Sequence, residues 1–195
     1  MARTEENVIR MQAEADAAGC RLRPHIKTHK MPLFTRMQLA HGAAGITCAK
    51  VSEAEVMADG GAEDIFIAYP MVGNFRIKRA IALAGRLKRL ILAVDSMECA
   101  VPLNEAAKAA GITLEVRLEV DTGAKRTGVQ RTKAAELAKE VHQLSNLNLT
   151  GIYTFKSLVY HDEPTEDKVI AGAKEGDMME AIAEEIRKAG VPIAE

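Results

Sequence analysis

Three segments carry side chains whose types and spacing could do chemistry. In RPHIKTHK (23–30), Lys27 stands two residues after His25 and two before His29. A lysine beside cationic or desolvating neighbours has a lowered pKa, which leaves the free amine that condensation with a carbonyl requires. The same residue in a basic surface loop would simply be solvated. The two histidines are four residues apart, a spacing that shares a face only on a helix, and Pro24 disfavours a helix through His25. No HExxH occurs, and His41, His142 and His161 are isolated, so no metal ligands are assigned.

In VDTGAKRTGV (120–129), Asp121 ends a strand and Gly123 and Gly128 flank a basic turn. Such a loop can present Arg126 to an anionic oxygen as a fork of donors; it can equally be a tight turn with solvated Lys125 and Arg126. GIYTFKSLVY (151–160) sets Tyr153 and Phe155 on one strand face, where rings could line a planar cofactor or fill a core. With Tyr160, it gathers three rings in a chain of three Tyr, four Phe and no Trp.

These residues need strands and turns to hold them. The periodicity predicts a helix at about 4–18, then an extended stretch from Cys20 to His29. Strand-like runs follow at 45–49, 64–69, 89–95, 112–121 and 149–155. Helical patterns lie between them at about 31–42, 52–60, 74–85, 97–110 and 131–145, and a last one covers 166–189. Glycines punctuate the helix-to-strand junctions, as αβ loops require. Strands alternating with helices predict a parallel sheet, which an open doubly wound fold and a (β/α)8 barrel both satisfy. Neither GxGxxG nor a Walker-type GxxxxGK[ST] is present, which counts against the nucleotide-binding open sheets. GVPIAE (190–195) reads as a strand just begun, so a fragment of a longer domain is expected.

A parallel strand covered on both faces is nearly continuous Val, Ile and Leu. Two segments break that rule. Arg23, His25 and Lys27 share one face of the first, and Glu115, Arg117, Glu119 and Asp121 alternate with Leu114, Val116, Leu118 and Val120 in the second. An unpaired buried charge costs roughly several kcal/mol, so these faces must pair with each other, meet water or surround an ionic ligand. Together they predict a polar cavity ringed by strand ends, where barrel enzymes place their chemistry.

Composition sets the outer bounds. With 48% hydrophobic and 27% charged residues the chain is a globular one, which excludes the disordered and collagen-like classes. A net charge of -1 gives no basic footprint for nucleic acid, so a small-molecule partner is expected. Three cysteines without a CxxC pair fit a reducing cytoplasm better than a disulfide framework. Apolar runs fall far short of the roughly 20 residues that span a bilayer, so neither a membrane segment nor a signal core is expected.

RPHIKTHK (23–30) followed by DTGAKRTGV (121–129) resembles the D-threonine aldolase and D-serine dehydratase family of pyridoxal-phosphate enzymes. The first motif is highly specific, the second is shared more widely among racemase-like barrels, and the resemblance spans essentially the whole chain. It implies an α/β fold, the (β/α)8 TIM-type barrel of alanine racemase, truncated at both ends with six to seven βα units over 1–195 and no C-terminal β domain. It implies Lys27 as the catalytic residue, holding pyridoxal 5'-phosphate as a Schiff base. Arg126 then contacts the cofactor's phenolic oxygen, and His25 and Tyr153 complete the cofactor-binding set, Tyr153 towards the pyridine ring. The family's phosphate loop and the ligands of its divalent metal come after the point matching GVPIAE, so neither is expected within this chain. Where many members carry a Gly-His pair, this chain has Lys156-Ser157-Leu158, which puts the transfer of a catalytic histidine in doubt.

The reaction implied is lyase cleavage of a D-3-hydroxy amino acid, a small D-amino acid being the partner. Retro-aldol cleavage of the D-threonine type, to glycine and an aldehyde, is preferred to D-serine dehydration. Racemisation is a further alternative, needing a second acid on the opposite face. From another class come a non-catalytic pyridoxal-phosphate-binding module and an inactive fragment. Family members commonly dimerise, which implies a homodimer.

Overall fold

A computed structural model describes residues 2–156, 159–160, 163–164 and 167–195. The chain divides into two compact units, Met1–Tyr69 with Lys78–Ile91, and Pro70–Ile77 with Leu92–Glu195.

The first unit opens with α1 (Ala2–Ala17), an extended stretch reaching His25, and a 3-10 turn, Ile26–Thr28. Then come α2 (Pro32–Ala40), β1 (Ile46–Cys48), α3 (Val51–Asp59) and β2 (Asp64–Pro70). Pro32 starts α2, where a missing N–H costs nothing and a fixed φ helps. β1 and β2 pair in parallel, Ile46 opposite Ile65 and Cys48 opposite Ile67. The extended stretch lies along β1: the Ala44 N–H donates to Leu22 O at 2.9 Å, the Thr47 N–H donates to Pro24 O at 2.8 Å, and His25 forms a parallel bridge with Thr47. All three β1 residues are buried, as a strand covered on both faces requires, and Ile26, Met57, Ile65 and Ile67 share this unit's core.

α4 (Asn74–Ala84) and β3 (Arg89–Val94) contribute residues to both units. The second unit continues with α5 (Met97–Ala110), β4 (Leu114–Asp121), β5 (Val129–Gln130), a 3-10 turn at Arg131–Lys133, and α6 (Ala134–His142). β6 (Leu147–Thr154), β7 (Val159–Tyr160), β8 (Glu163–Pro164) and α7 (Lys168–Lys188) follow. The Ser96 hydroxyl accepts the Cys99 N–H at the start of α5, and Asp167 accepts the Val169 and Ile170 N–H groups at the start of α7. Both are N-caps that satisfy donors the helix cannot.

β4 pairs in parallel with β5 and with β6. Its register with β6 slips between Val116 and Arg117, where Thr150 is the extra residue. The apolar side chains of β4, Leu114, Val116, Leu118 and Val120, are buried. β7 and β8 form a short antiparallel pair that the strand pattern did not predict. The last residues, where the sequence suggested a new strand, form no assigned strand but hydrogen-bond to β6: Ala194 and Glu195 N–H groups donate to Thr150 O, and the Ile152 N–H donates to Glu195 O. Among the described residues, no helix is long and apolar enough to cross a membrane.

One expectation is corrected. The stretch from Cys20 to His29 is not a continuous strand; it ends at His25 and coils into the 3-10 turn, so Lys27 leaves the alternation it was assigned with Arg23 and His25. Two local features explain the change. Pro24 has no N–H to give a ladder, and the His25 ring takes the Lys27 N–H that a strand would have offered to its neighbour.

Candidate functional site

In the first unit the extended stretch is anchored before the turn begins. The Arg23 guanidinium grips both Asp64 carboxylate oxygens, at 2.7 and 3.1 Å, and is largely buried. A side chain at position 45 would overlap that guanidinium, which is why Gly45 opens the path to β1. Arg23 is therefore a structural anchor, although the alternation put it beside the chemical residues.

The turn itself is held by its two histidines. Nδ1 of His25 accepts the Lys27 N–H at 3.2 Å, and Nδ1 of His29 accepts the Met31 N–H at 3.0 Å. Each neutral ring therefore carries its proton on Nε2. Burial, then the charge of Lys27, pushes the His25 pKa below its ordinary value, with Glu53 pulling the other way. Burial lowers His29 also, against the Gln38 side chain. Lys30 closes the turn with φ at 50°, and its ammonium lies 3.3 Å from the buried Glu53, whose second oxygen accepts the Ala49 N–H at 2.9 Å. Lys27 is an exposed residue of this frame, flanked by two rings whose pKa values are lowered.

In the second unit the basic turn is tied down by three carboxylates. Asp121 Oδ1 accepts the Gly123 and Lys125 N–H groups at 2.8 and 3.1 Å; these bonds, that from Lys125 foremost, hold its carboxyl below the usual range. Glu119 Oε1 accepts the Thr127 hydroxyl at 2.7 Å, and Asp95 Oδ2 accepts the Gly128 N–H at 3.2 Å. Gly128 has φ at +98°, and a Cβ there would sit 2.8 Å from the Asp121 nitrogen. Between these ties Arg126 is exposed, its guanidinium 4.8 Å from the centre of the Phe155 ring. That is a cation–π distance, and it presents a planar fork of donors.

Tyr153 joins the same framework. Its hydroxyl donates to Glu119 Oε2 at 2.8 Å, and burial, then the negative charge of Glu119, pushes the phenol pKa up. The polar face of β4 is thus paired along its length: Glu115 accepts from Thr150, Arg117 meets Glu195, Glu119 meets Thr127 and Tyr153, and Asp121 caps the turn.

Each unit brings its own members of the expected set together: His25 with Lys27 in the first, Arg126 with Phe155 and the Glu119–Tyr153 pair in the second. Ser157, Leu158 and His161 lie outside the described residues. Sequence reasoning missed Glu53 and Asp95. Asp95 was within reach, because Val-Asp ends RLILAVD as it ends RLEVD. Glu53 had only the weak signal of an acid in the first turn of α3.

Residues 1–195 match the family model described as alanine racemase, N-terminal domain. The chain is 33% identical to D-threonine aldolase of Arthrobacter sp over 191 residues, covering 96% of this chain and 49% of that protein. It is 34% identical to D-threo-3-hydroxyaspartate dehydratase of Delftia sp. (strain HT23), covering 97% and 50%, and 33% identical to 3-hydroxy-D-aspartate aldolase of Paracoccus denitrificans (strain Pd 1222), covering 91% and 48%. Among solved structures, D-threonine aldolase from Filomicrobium marinum superposes with a TM-score of 0.90 at 33% identity, covering 97% of this chain and 52% of that one. Alanine racemase of Clostridium difficile 630 shares the fold at a TM-score of 0.78 and 20% identity, covering 98% of this chain and 51% of that one. The chain spans about half the length of the curated relatives it matches. Its fold is accordingly the TIM-barrel-like one expected from the motifs, a parallel sheet with alternating helices, and the doubly wound alternative is set aside.

Proposed function

We propose, on the premise that this chain belongs to the alanine racemase N-terminal domain family, that it serves a pyridoxal-phosphate-dependent lyase acting on D-3-hydroxy amino acids. The observation that carries the reading is Lys27: an exposed lysine on a turn fixed at both ends, in a chain whose relatives are named as aldolases of such substrates.

The donor set fits this cofactor. An aldehyde needs a primary amine to condense with, and Lys27 carries one on an exposed turn. An aromatic ring with anionic oxygens needs a flat, permanently charged donor, which Arg126 offers. When bound, pyridoxal phosphate supplies an electron sink for the bond broken at the substrate α-carbon. In this reading Lys27 would hold the cofactor through its aldehyde, and Arg126 would donate to its phenolic oxygen. His25, neutral with its proton on Nε2, stands beside Lys27 as an uncharged ring. Tyr153 stands as a phenol, its proton directed at Glu119.

We place cleavage to glycine and an aldehyde ahead of dehydration, since D-threonine aldolase and 3-hydroxy-D-aspartate aldolase are both among the relatives. A divalent metal that polarises the β-hydroxyl belongs to this reading. Among the described residues no three His, Cys, Asp or Glu side chains gather to hold one. The three cysteines are free thiols, which fits the reducing, cytoplasmic setting we propose.

Adding pyridoxal phosphate to the chain should produce the visible absorbance of a lysine adduct, and borohydride reduction should fix the label on the peptide containing Lys27. Both should vanish in Lys27→Ala. A native chain without the band, or a variant that keeps it, overturns the cofactor reading. Release of glycine and acetaldehyde from D-threonine, with and without an added divalent cation, then tests the lyase; a labelled chain that releases neither is a carrier.

A further inference from the structure

The reading above uses Lys27 and Arg126 and leaves Glu119 without a role. Yet Glu119 is only 3% exposed, the most deeply buried charged side chain among the described residues. A carboxylate taken out of water costs roughly several kcal/mol unless its oxygens are satisfied. Both are, and by two different elements: the Thr127 hydroxyl, on the turn after β4, at 2.7 Å to Oε1, and the Tyr153 hydroxyl, on β6, at 2.8 Å to Oε2.

We propose that Glu119 is a positioning residue whose single carboxylate sets both the orientation of the Tyr153 phenol and the placement of the turn that carries Arg126. The inference rests on the proposed cofactor reading for its purpose, and on hydrogen-bond arithmetic for its content. A carboxylate only accepts, and a hydroxyl has one proton to give, so both hydroxyls must spend theirs on Glu119. Towards any further group the Tyr153 oxygen is then an acceptor. It accepts a hydrogen bond from an N–H or O–H group and does not act as a proton donor.

Thr127 is bonded to Arg126 in the chain, so fixing its hydroxyl fixes the C-terminal side of the guanidinium-bearing residue. Asp121, through the Lys125 N–H, fixes the N-terminal side. One buried acid on β4 therefore couples a ring on β6 to a cation on a loop. The groups facing the phenol are Glu119 from β4, Asp95 after β3 and Cys99 from α5; with burial, they all act to keep it protonated.

The test uses the cofactor-free chain. By NMR, the Tyr153 hydroxyl proton, identified by its absence in Tyr153→Phe, should be protected from exchange and shifted downfield. In Glu119→Gln it should move upfield or merge with water, because a shape-preserving amide replaces the anionic acceptor. A proton already averaged with water in the native chain, or one unmoved in Glu119→Gln, overturns the proposal. If Glu119→Gln does not fold, a second arm needs only the native and Tyr153→Phe chains. There, tyrosinate absorbance raised through the ordinary range, about pH 10, should be equal in native and Tyr153→Phe chains, Tyr153 being silent. A larger rise in the native chain overturns the proposal. Where the native chain binds pyridoxal phosphate, Glu119→Gln should weaken its affinity about tenfold through Arg126, and an unchanged affinity counts against the inference. Loss of cofactor binding in the native chain would defeat the functional reading and leave the proton measurements standing.

Discussion

Gly128 shows how little room the basic turn has. Its backbone lies in the left-handed region, and an added Cβ would come within 2.8 Å of the Asp121 nitrogen and 2.9 Å of the Val120 carbonyl carbon, both main-chain atoms of β4 that cannot swing aside. Gly128→Ala should therefore cost about 2 kcal/mol or more in urea unfolding, and should displace Thr127 and Arg126 together. A variant as stable as the native chain would show that the turn has another conformation open to it. Lys30 is the opposite case, a non-glycine residue at φ 50°, its ammonium 3.3 Å from the buried Glu53. The ion pair is half exposed at the lysine end and adds little stability. Its consequence is local: the residue closing the Lys27 turn is tied to the loop after β1 through the two oxygens of one carboxylate.

At the scale of elements, α7 carries an avoidable weakness. Gly172 and Gly176 lie inside the helix with open space where a Cβ would go. Changing either to Ala should stabilise the chain by roughly 0.5–1 kcal/mol, read from the unfolding midpoint, since only backbone entropy is at stake. Removing a cap should do the reverse: Ser96→Ala leaves the Cys99 N–H without its side-chain acceptor and should cost about 1 kcal/mol. Elements of this kind were legible in the sequence, because period and caps are local. The runs at 64–69 and 89–95 fall on β2 and β3, and the alternation of 114–121 gives β4 its apolar and polar faces. The 3-10 turn at Lys27 was not legible, because a side chain, His25, decides it against the strand pattern. The slip at Thr150 is set by pairing, which no single strand encodes. Alternation likewise told which face Glu119 occupies but not that Thr127 and Tyr153 would meet it. Asp95 is 33 residues away in sequence from the Gly128 N–H it accepts.

For the whole molecule, the shifted groups define a window of pH in which folding is favoured. His25 and His29 have native pKa values below the ordinary 6.5, so the unfolded chain binds their protons first. Stability from these rings is complete above 6.5 and is lost as pH falls through the depressed native values. Asp121 and Glu55, lowered by the Lys125 N–H and by Arg79 respectively, add a further loss once pH falls below about 4, a small one because both are exposed enough to be screened. On the alkaline side burial pushes Cys48 up to about 12 and Cys99 to about 11, so the native state holds protons that the unfolded chain releases from about 9. Their contribution is whole below that value and disappears as pH climbs through the native ones. Urea midpoints measured against pH should trace a plateau between about 6.5 and 9 with a shoulder falling away on each side. His25→Asn combined with His29→Asn should flatten the acid shoulder just below 6.5, because an Asn oxygen can still accept the Lys27 and Met31 N–H groups while carrying no titrating proton. An acid shoulder that survives unchanged in the double variant would place its origin in the carboxylates and remove the two rings from the account.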